Sequence, residues 1–158
     1  MLISFLQGVV NIFFSARFRV EGDSMLPLLR GGESVFVVRT RFKWNRLRRG
    51  DLAVFERPSA GGGATIKRVV GLPGEDIKIA DGKVYVDGRL LAEDYTQGAG
   101  KAVEKEWFNG TEEYFLLGDN RGDSNDSRNY GPVAGDLIKG RAWFRCWPPT
   151  QWRPLGRR

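Results

Sequence analysis

The chain has 158 residues, a hydrophobic fraction of 41% and one cysteine, Cys146. This length suits one domain with an ordinary apolar core, and a single cysteine excludes an internal disulfide. The net charge of +6 favours an anionic partner, while the absence of histidine excludes Ser-His-Asp and Cys-His catalysis and leaves no plausible Cys/His metal site.

Residues 1–16 are largely apolar, and their few polar positions, such as Ser4, Gln7 and Asn11, recur at helical spacing. A helix over the first 14 residues would be roughly 21 Å long, shorter than the roughly 30 Å hydrocarbon core of a bilayer. The segment therefore predicts a short apolar or amphipathic helix that anchors the chain to a membrane.

Ser24 is the candidate nucleophile. It follows Gly22 and Asp23, and Pro27 comes three residues later, so the hydroxyl is expected on a bend rather than in a helix. A lone serine is a weak nucleophile at neutral pH and needs a base beside it. With no histidine in the chain, that base is a lysine, an acid or absent.

After residue 16 the chain reads as short strands rich in Val, Ile and Phe, at residues 17–21, 34–39, 51–57 and 65–71. Residues 39–49, between the second and third of these strands, interleave Phe42 and Trp44 with basic side chains. Such a composition suits an anionic bilayer surface, single-stranded nucleic acid or a solvated loop.

Lys67 interrupts the β-branched strand at residues 65–71, where a charge is costly to bury. Burial lowers the pKa of a lysine, and a shift of about three units from 10.4 would make it a base at neutral pH. Alternation places Lys67 on the strand face of Thr65 and Val69, opposite Arg68. An ordinary turn at Ser24 and a soluble edge strand at Lys67 are the alternative interpretation.

Residues 76–91 predict a hairpin around Asp81-Gly82, a pair typical of a type I′ turn, with a second turn at Asp87-Gly88. Residues 93–111 are polar and predict a surface excursion. Residues 137–147 predict a last strand, which Pro148 and Pro149 end. The resulting domain is all-β, with Trp143, Trp147 and Trp152 as core or membrane-edge residues.

Residues 114–131 combine an apolar strand with a loop dense in carboxylates, amides and hydroxyls. Such a loop either binds a cation or holds a site in shape.

In these segments the sequence resembles the type I signal peptidases, membrane-bound Ser/Lys endopeptidases that remove leader sequences from exported proteins. The resemblance covers most of the chain and rests on four segments in order: Gly22-Asp23-Ser24-Met25-Leu26-Pro27, Arg49-Gly50-Asp51-Leu52-Ala53-Val54-Phe55, Ile66-Lys67-Arg68-Val69-Val70-Gly71-Leu72-Pro73-Gly74-Glu75, and Gly118-Asp119-Asn120-Arg121 through Ser124, Asp126, Ser127 and Arg128. It implies the complex, mostly antiparallel β fold of Ser/Lys peptidases and a catalytic domain over residues 17–150, followed by a basic tail at 151–158.

The resemblance also implies roles. Ser24 would be the nucleophile and Lys67 its general base, Ser124 would orient the lysine amine, and an Asp126–Arg128 salt bridge would hold the last loop against the site. Asp119 and Asn120 belong to the same supporting loop. No metal or other cofactor is expected, and the cation-binding interpretation becomes the minor one.

Two positions depart from the family pattern. Gly22 stands where some members carry a hydroxyl that helps bind the oxyanion, so the donors would be the Ser24 N–H and other backbone groups. This pattern with glycine resembles the Gram-positive and organellar style of the family. Leu28 stands where many members carry threonine.

The implied substrate is an extended exported precursor with small side chains one and three residues before the cut. It would add along the strand that holds Lys67. Gly22 and Asp23 would line its path, and shallow pockets from Met25, Pro27 and Ile66 would select small side chains. The other expected partner is a membrane lipid surface rather than nucleic acid, with the catalytic domain on the extracytoplasmic side of the cell membrane.

Two alternatives differ in kind from this function. A self-cleaving Ser/Lys repressor-type protease shares the dyad and the β fold but lacks the acidic loop and normally has an Ala-Gly or Cys-Gly bond before the serine. Only Gln7-Gly8 and Glu21-Gly22 precede Ser24 here. The other alternative is a non-catalytic basic β-domain that binds lipid or nucleic acid.

Overall fold

A computed structural model describes residues 15–39, 46–58, 63–98, 100 and 104–156. Within these ranges the chain is mostly β structure, and its strands pair antiparallel. The strands are β1 (Ser15–Arg19), β2 (Ser34–Val38), β3 (Leu52–Glu56), β4 (Ala64–Gly71), β5 (Asp76–Ala80), β6 (Lys83–Val86), β7 (Arg89–Leu90), β8 (Lys105–Phe108), β9 (Glu113–Leu117), β10 (Val133–Ala134), β11 (Ile138–Trp147) and β12 (Arg153–Pro154). A short helix, α1 (Ser127–Tyr130), and 3-10 turns at Gly135–Leu137 and Pro149–Gln151 complete the described elements. The predicted all-β, mostly antiparallel class is confirmed.

The strands form two sheets. The larger has the order β1-β2-β11-β3-β4-β9-β10, with β12 added to β11, and the smaller has the order β7-β6-β5-β8. Strand β4 lies inside the larger sheet, and its residues 66–71 are buried on both faces. It carries both Lys67 and Arg68, and each of these side chains must find its partners inside the protein.

Alternating apolar residues explain how the sheets pack. One core lies under the larger sheet and is closed by the segment between β1 and β2; its members include Val35, Val37, Leu52, Val54, Ile66, Met25 and Leu29. A second core joins the two sheets through Val70, Phe115, Leu117, Ile77, Ile79, Val84 and Val86. A third lies on the opposite face of β3, β4 and β9 and includes Ala53, Phe55, Val69 and Leu116.

The predicted hairpin is confirmed. Strands β5 and β6 pair around Asp81 and Gly82, whose φ angles are 50° and 72°. A type I′ turn requires positive φ at both central residues, which Asp tolerates and Gly adopts freely. Asp87 and Gly88 repeat this geometry in the turn that leads to β7.

The amino-terminal prediction lies mostly outside the described residues. Residues 1–14 of the predicted helix are not described, whereas Ser15 and Ala16, which were included in that helix, begin β1 instead. Ser15 and Ala16 pair with Val38 and Val37, so the sheet determines their conformation. No helix in the described ranges is long and apolar enough to cross a membrane.

Two other boundaries are corrected. The predicted surface excursion at 93–111 contains β8, which pairs with β5 because Trp107 packs against the core between the sheets. The predicted tail also starts too early, since β12 pairs with β11 after the two prolines and Leu155 is buried. Both misplaced segments are short, and each is stabilised by pairing with another strand, which for β8 is distant in sequence and for β12 is the preceding strand.

Candidate active site

Ser24 lies in the connection between β1 and β2, on the predicted bend. The backbone turns tightly here, with Leu26 N–H donating to Asp23 O (3.1 Å) and Leu29 N–H donating to Met25 O (2.9 Å). Met25 and Leu29 are fully buried and fix the connection to the core. Their burial leaves the intervening backbone on the surface and presents the half-buried Ser24 hydroxyl at its edge.

Lys67 lies beside this hydroxyl. Its Nζ is 2.7 Å from Ser24 Oγ, 3.1 Å from Ile66 O and 3.3 Å from Thr65 Oγ1. The predicted alternation is confirmed, because Thr65 shares the strand face of Lys67 and contacts its amine. Lys67 is only 3% exposed, so water has little access to the side chain.

Burial lowers the pKa of Lys67 from 10.5 to about 8, an effect that the nearby Arg57 cation strengthens and the Asp126 and Asp119 carboxylates oppose. The pKa of Lys67 is lowered, as the sequence predicts, but by less than the predicted three units. Around pH 8 the amine is about half neutral. It can then accept the Ser24 proton, and the Asp126 and Asp119 carboxylates stabilise the buried ammonium that forms.

Asn120 joins the acidic loop to the nucleophile. Its N–H donates to Ser24 O (3.0 Å), and its Nδ2 donates to Asp23 O (3.2 Å). One residue therefore holds the carbonyls of the two peptide groups that flank the Ser24 Cα. This contact gives the predicted supporting position of Asn120 a definite geometry.

Two of the three carboxylates in the acidic loop, those of Asp119 and Asp126, pair with arginines. Asp119 pairs with Arg68 through two hydrogen bonds of 2.7 and 2.6 Å, and neither side chain is exposed. Asp126 caps α1 by accepting from Arg128 N–H and pairs with the Arg128 guanidinium (Nε–Oδ1 2.8 Å). The predicted Asp126–Arg128 salt bridge is present. These pairings use the oxygens that a cation would need, so they favour a structural loop over a cation site.

Ser124 and Gly118 are in close contact beneath the nucleophile. A Cβ at Gly118 would lie 2.2 Å from Ser124 Oγ and 2.6 Å from Ser24 O, so only glycine fits there. The Ser124 hydroxyl is buried and forms no hydrogen bond within the described residues. Its predicted role, orienting the lysine amine, therefore remains a prediction.

The residues predicted to line the substrate path divide into two groups. Gly22, Asp23 and Pro27 are exposed at the site. Met25 and Ile66 are 0% and 2% exposed, and both belong to the core beneath the larger sheet. The prediction that their side chains form shallow open pockets is corrected, because both side chains complete the core that fixes the Ser24 bend.

The edge of β4 beside Lys67 is half paired. On one side Ala64–Gly71 pairs with β3 from Ala64 to Arg68, but on the other side β9 pairs only from Arg68 onward. Within the described residues, no strand pairs with residues 64–67 on the β9 side. Unpaired strand edges are the surfaces to which extended peptides add.

Several residues at the site were not identified from the sequence. Glu93, Tyr95 and Arg121 form a buried hydrogen-bonded group against the acidic loop. Arg121 stands in the sequence motif, but nothing in the local pattern indicates its partner 28 residues away. The burial of the apolar residues within 91–97 would have indicated this group. That burial is visible only in the folded chain.

Comparisons with known proteins identify the family to which this chain is similar. The family model described as "Signal peptidase, peptidase S26" matches residues 1–147. Signal peptidase I of Leptolyngbya laminosa is 35% identical over 162 residues, covering 94% of this chain and 76% of the relative. Signal peptidase I T of Bacillus subtilis (strain 168) is 34% identical over 161 residues, covering 92% of this chain and 80% of the relative. A crystal structure of a signal peptidase I from Enterococcus faecalis V583 matches with a TM-score of 0.51 and 31% identity, covering 61% of this chain and 97% of that chain.

Proposed function

The chain belongs to the signal peptidase family, peptidase S26, and from this premise we propose that it cleaves signal peptides from exported precursors with Ser24 as nucleophile and Lys67 as base. The observation that carries the proposal is the 2.7 Å contact between Ser24 Oγ and an almost fully buried lysine amine. The enzyme is a serine endopeptidase, a hydrolase.

Acylation begins when the neutral Lys67 amine accepts the Ser24 hydroxyl proton and Oγ attacks the scissile carbonyl carbon. Ser24 N–H has no acceptor within the described part of the chain, so it is available to the carbonyl oxygen as negative charge develops there. The lysine then gives its proton to the departing amine, which becomes the new amino terminus of the mature protein.

Deacylation reuses the same lysine. Neutral again, Lys67 takes a proton from a water molecule that attacks the ester carbon, and the signal peptide leaves with a carboxylate as Ser24 recovers its hydrogen. Thr65 Oγ1 and Ile66 O both lie within hydrogen-bonding distance of the amine, and they orient it toward Ser24 through both steps.

The precursor binds as an added strand. Residues 64–67 of β4 offer the open backbone edge next to the base, and an extended peptide there places its carbonyl beside Ser24. Gly22, Asp23 and Pro27 border this path on the surface.

The enzyme works at a membrane surface, with its catalytic domain on the extracytoplasmic side. An aromatic cluster on the outer face of β2 and β11 supports the lipid contact: Phe36, Trp143, Phe144 and Trp152 lie with neighbouring ring centroids 5.6–6.4 Å apart. Trp143 Nε1 donates to Ser15 Oγ, so the cluster borders the start of β1, where the predicted anchor ends. Partly exposed Trp rings of this kind are typical of proteins at the lipid headgroup level.

The experiment that tests the function is cleavage of a preprotein in detergent by the purified protein. Wild type should release the signal peptide, and Ser24→Ala or Lys67→Ala should lower kcat/KM at least ~10³-fold while circular dichroism stays native. Near-native turnover by Lys67→Ala would refute the assignment. Cleavage only of the enzyme's own chain would instead favour the repressor-type protease, and no cleavage would favour the binding domain.

A further inference from the structure

Residues 93–97 lie against the acidic loop, and the backbone of Gln97 both donates a hydrogen bond to this loop and accepts one from it. Gln97 N–H donates to Asp119 O (2.7 Å), and Arg121 N–H donates back to Gln97 O (2.7 Å). Gln97 and Asn120 thereby form an isolated parallel bridge outside the named strands. This segment comes from the connection after β7, so it belongs neither to the β1–β2 connection, which carries Ser24, nor to β4, which carries Lys67.

The side chains of the same segment form a closed group with the loop. Glu93 accepts from both terminal nitrogens of Arg121, one of them at 3.0 Å, and also from the Tyr95 hydroxyl (2.8 Å). Arg121 Nε donates to Gly118 O (3.0 Å). Both side chains of the Glu93–Arg121 ion pair are almost fully buried. An ion pair desolvated to this degree resists distortion, because separating its members leaves a buried charge unpaired.

Tyr95 connects this group to the strand that carries the base. Its ring lies under the Arg68 guanidinium, with 4.1 Å between Arg68 Cζ and the ring centroid. Arg68 pairs in turn with Asp119, one residue before Asn120. Burial and the Glu93 carboxylate raise the pKa of Tyr95, so its hydroxyl stays protonated and keeps donating to Glu93.

The loop that this group holds is the one that fixes the nucleophile. Asn120 lies between Asp119 and Arg121, and it contacts the carbonyls of Asp23 and Ser24. Any displacement of Asn120 therefore moves the backbone of Ser24 relative to Lys67, which is anchored independently in β4. Misplacement of a reacting group by about 1 Å can lower a rate by about 10²-fold.

We propose that Glu93, together with Tyr95 and Arg121, is a positioning group that sets the place of Asn120 and through it the distance between Ser24 and Lys67. This inference rests on the proposed peptidase function. It assigns Glu93 no contact with the substrate. The group therefore acts on the rate of the chemical step rather than on substrate binding.

The first test is Glu93→Gln, assayed as preprotein cleavage beside wild type. We expect kcat to fall about 10- to 100-fold with KM unchanged, because the substrate edge at residues 64–67 is untouched. Tyr95→Phe removes only the hydroxyl and should give a smaller fall in kcat. The matched control is Glu56→Gln, which breaks the half-exposed Glu56–Lys139 pair and should leave both constants as in wild type.

A double-mutant cycle tests whether Glu93 affects kcat through Asn120. If Glu93 acts through Asn120, then adding Glu93→Gln to Asn120→Ala should cost little further kcat, so the two effects are far from additive. Additive losses would overturn the proposal, as would wild-type kcat in a folded Glu93→Gln protein. A fall confined to KM would also overturn it.

If Glu93→Gln fails to fold, replacing both members of the ion pair together still tests the proposal. Glu93→Leu with Arg121→Met substitutes apolar side chains for the ion pair and should recover stability. Recovery of stability without kcat supports the positioning role, and recovery of both overturns it. Ser24→Ala is assayed in parallel: cleavage that survives this substitution would overturn the proposed function itself rather than the role of Glu93.

Discussion

The proposed chemistry depends on the amine of Lys67. The protonation of this amine determines how activity changes with pH. Its pKa of about 8 leaves roughly a tenth of the amine neutral at pH 7. Because only the neutral amine accepts the Ser24 proton, kcat/KM should rise about tenfold between pH 7 and a plateau above pH 9. The measurement is kcat/KM against pH with a preprotein substrate. A plateau already reached at pH 6 would contradict this account.

The same residue makes stability depend on pH in a defined direction. The lysine loses its proton near pH 8 in the folded state and near 10.5 in the unfolded chain, so wild-type stability should rise with pH across that window. Lys67→Met has no such group and should be more stable than wild type at pH 7. Urea unfolding of both proteins at pH 7 and pH 10.5 should show their difference changing by about 3 kcal/mol in favour of wild type. A pH-independent difference would mean that the amine is hydrated.

Among the secondary-structure elements, the end of β9 has the greatest effect on the position of the site. The strand ends at Leu117, and the chain then passes at Gly118 beneath the Ser24 carbonyl. Gly118→Ala would place a methyl group inside Ser124 and the Ser24 backbone, so the loop must shift. We expect about 1–3 kcal/mol lower stability and loss of most of the activity.

Gly156→Ala is the control for that change. A Cβ at Gly156 meets no atom within 4 Å, so the protein should keep its stability and its turnover. Both variants are compared by thermal unfolding and by preprotein cleavage. If Gly118→Ala retained wild-type turnover, the close packing beneath Ser24 would be irrelevant to catalysis.

For the whole molecule, the exposed aromatic residues make the lipid contact testable. Trp147 and Trp152 are 50% and 62% exposed at the end of β11 and in the turn before β12. The double variant Trp147→Ala/Trp152→Ala should bind vesicles of anionic phospholipid several-fold more weakly, while cleavage of a soluble peptide stays unchanged. Sedimentation with vesicles measures the binding.

Phe108→Ala is the matched control for that surface. Phe108 is 64% exposed, but it lies on the smaller sheet, away from the aromatic cluster. Its removal should leave vesicle binding as in wild type. Equal losses in the two variants would show that binding follows general hydrophobicity rather than this face of the larger sheet.

Where a signal is local, the sequence alone was enough to predict the structure. Asp81-Gly82 favours a type I′ turn through its own conformational preferences, and alternation along residues 65–71 placed Lys67 on the face of Thr65. The lack of histidine, together with a serine on a bend, narrowed the base to a lysine, an acid or nothing. The family motifs then assigned Lys67. These properties depend on residues within a few positions of each other or on composition.

Tertiary structure decided what depends on distant partners. Ser24 and Lys67 are 43 residues apart, Glu93 and Arg121 are 28 apart, and Asn120 reaches Asp23 across 97. Met25 and Ile66 looked suited to a substrate pocket until folding placed them in the core. The fraction of a side chain that water reaches, and hence the pKa of a buried amine, depends on all the chain segments that pack around it. Burial is therefore a property of the assembled fold and of no single stretch of sequence.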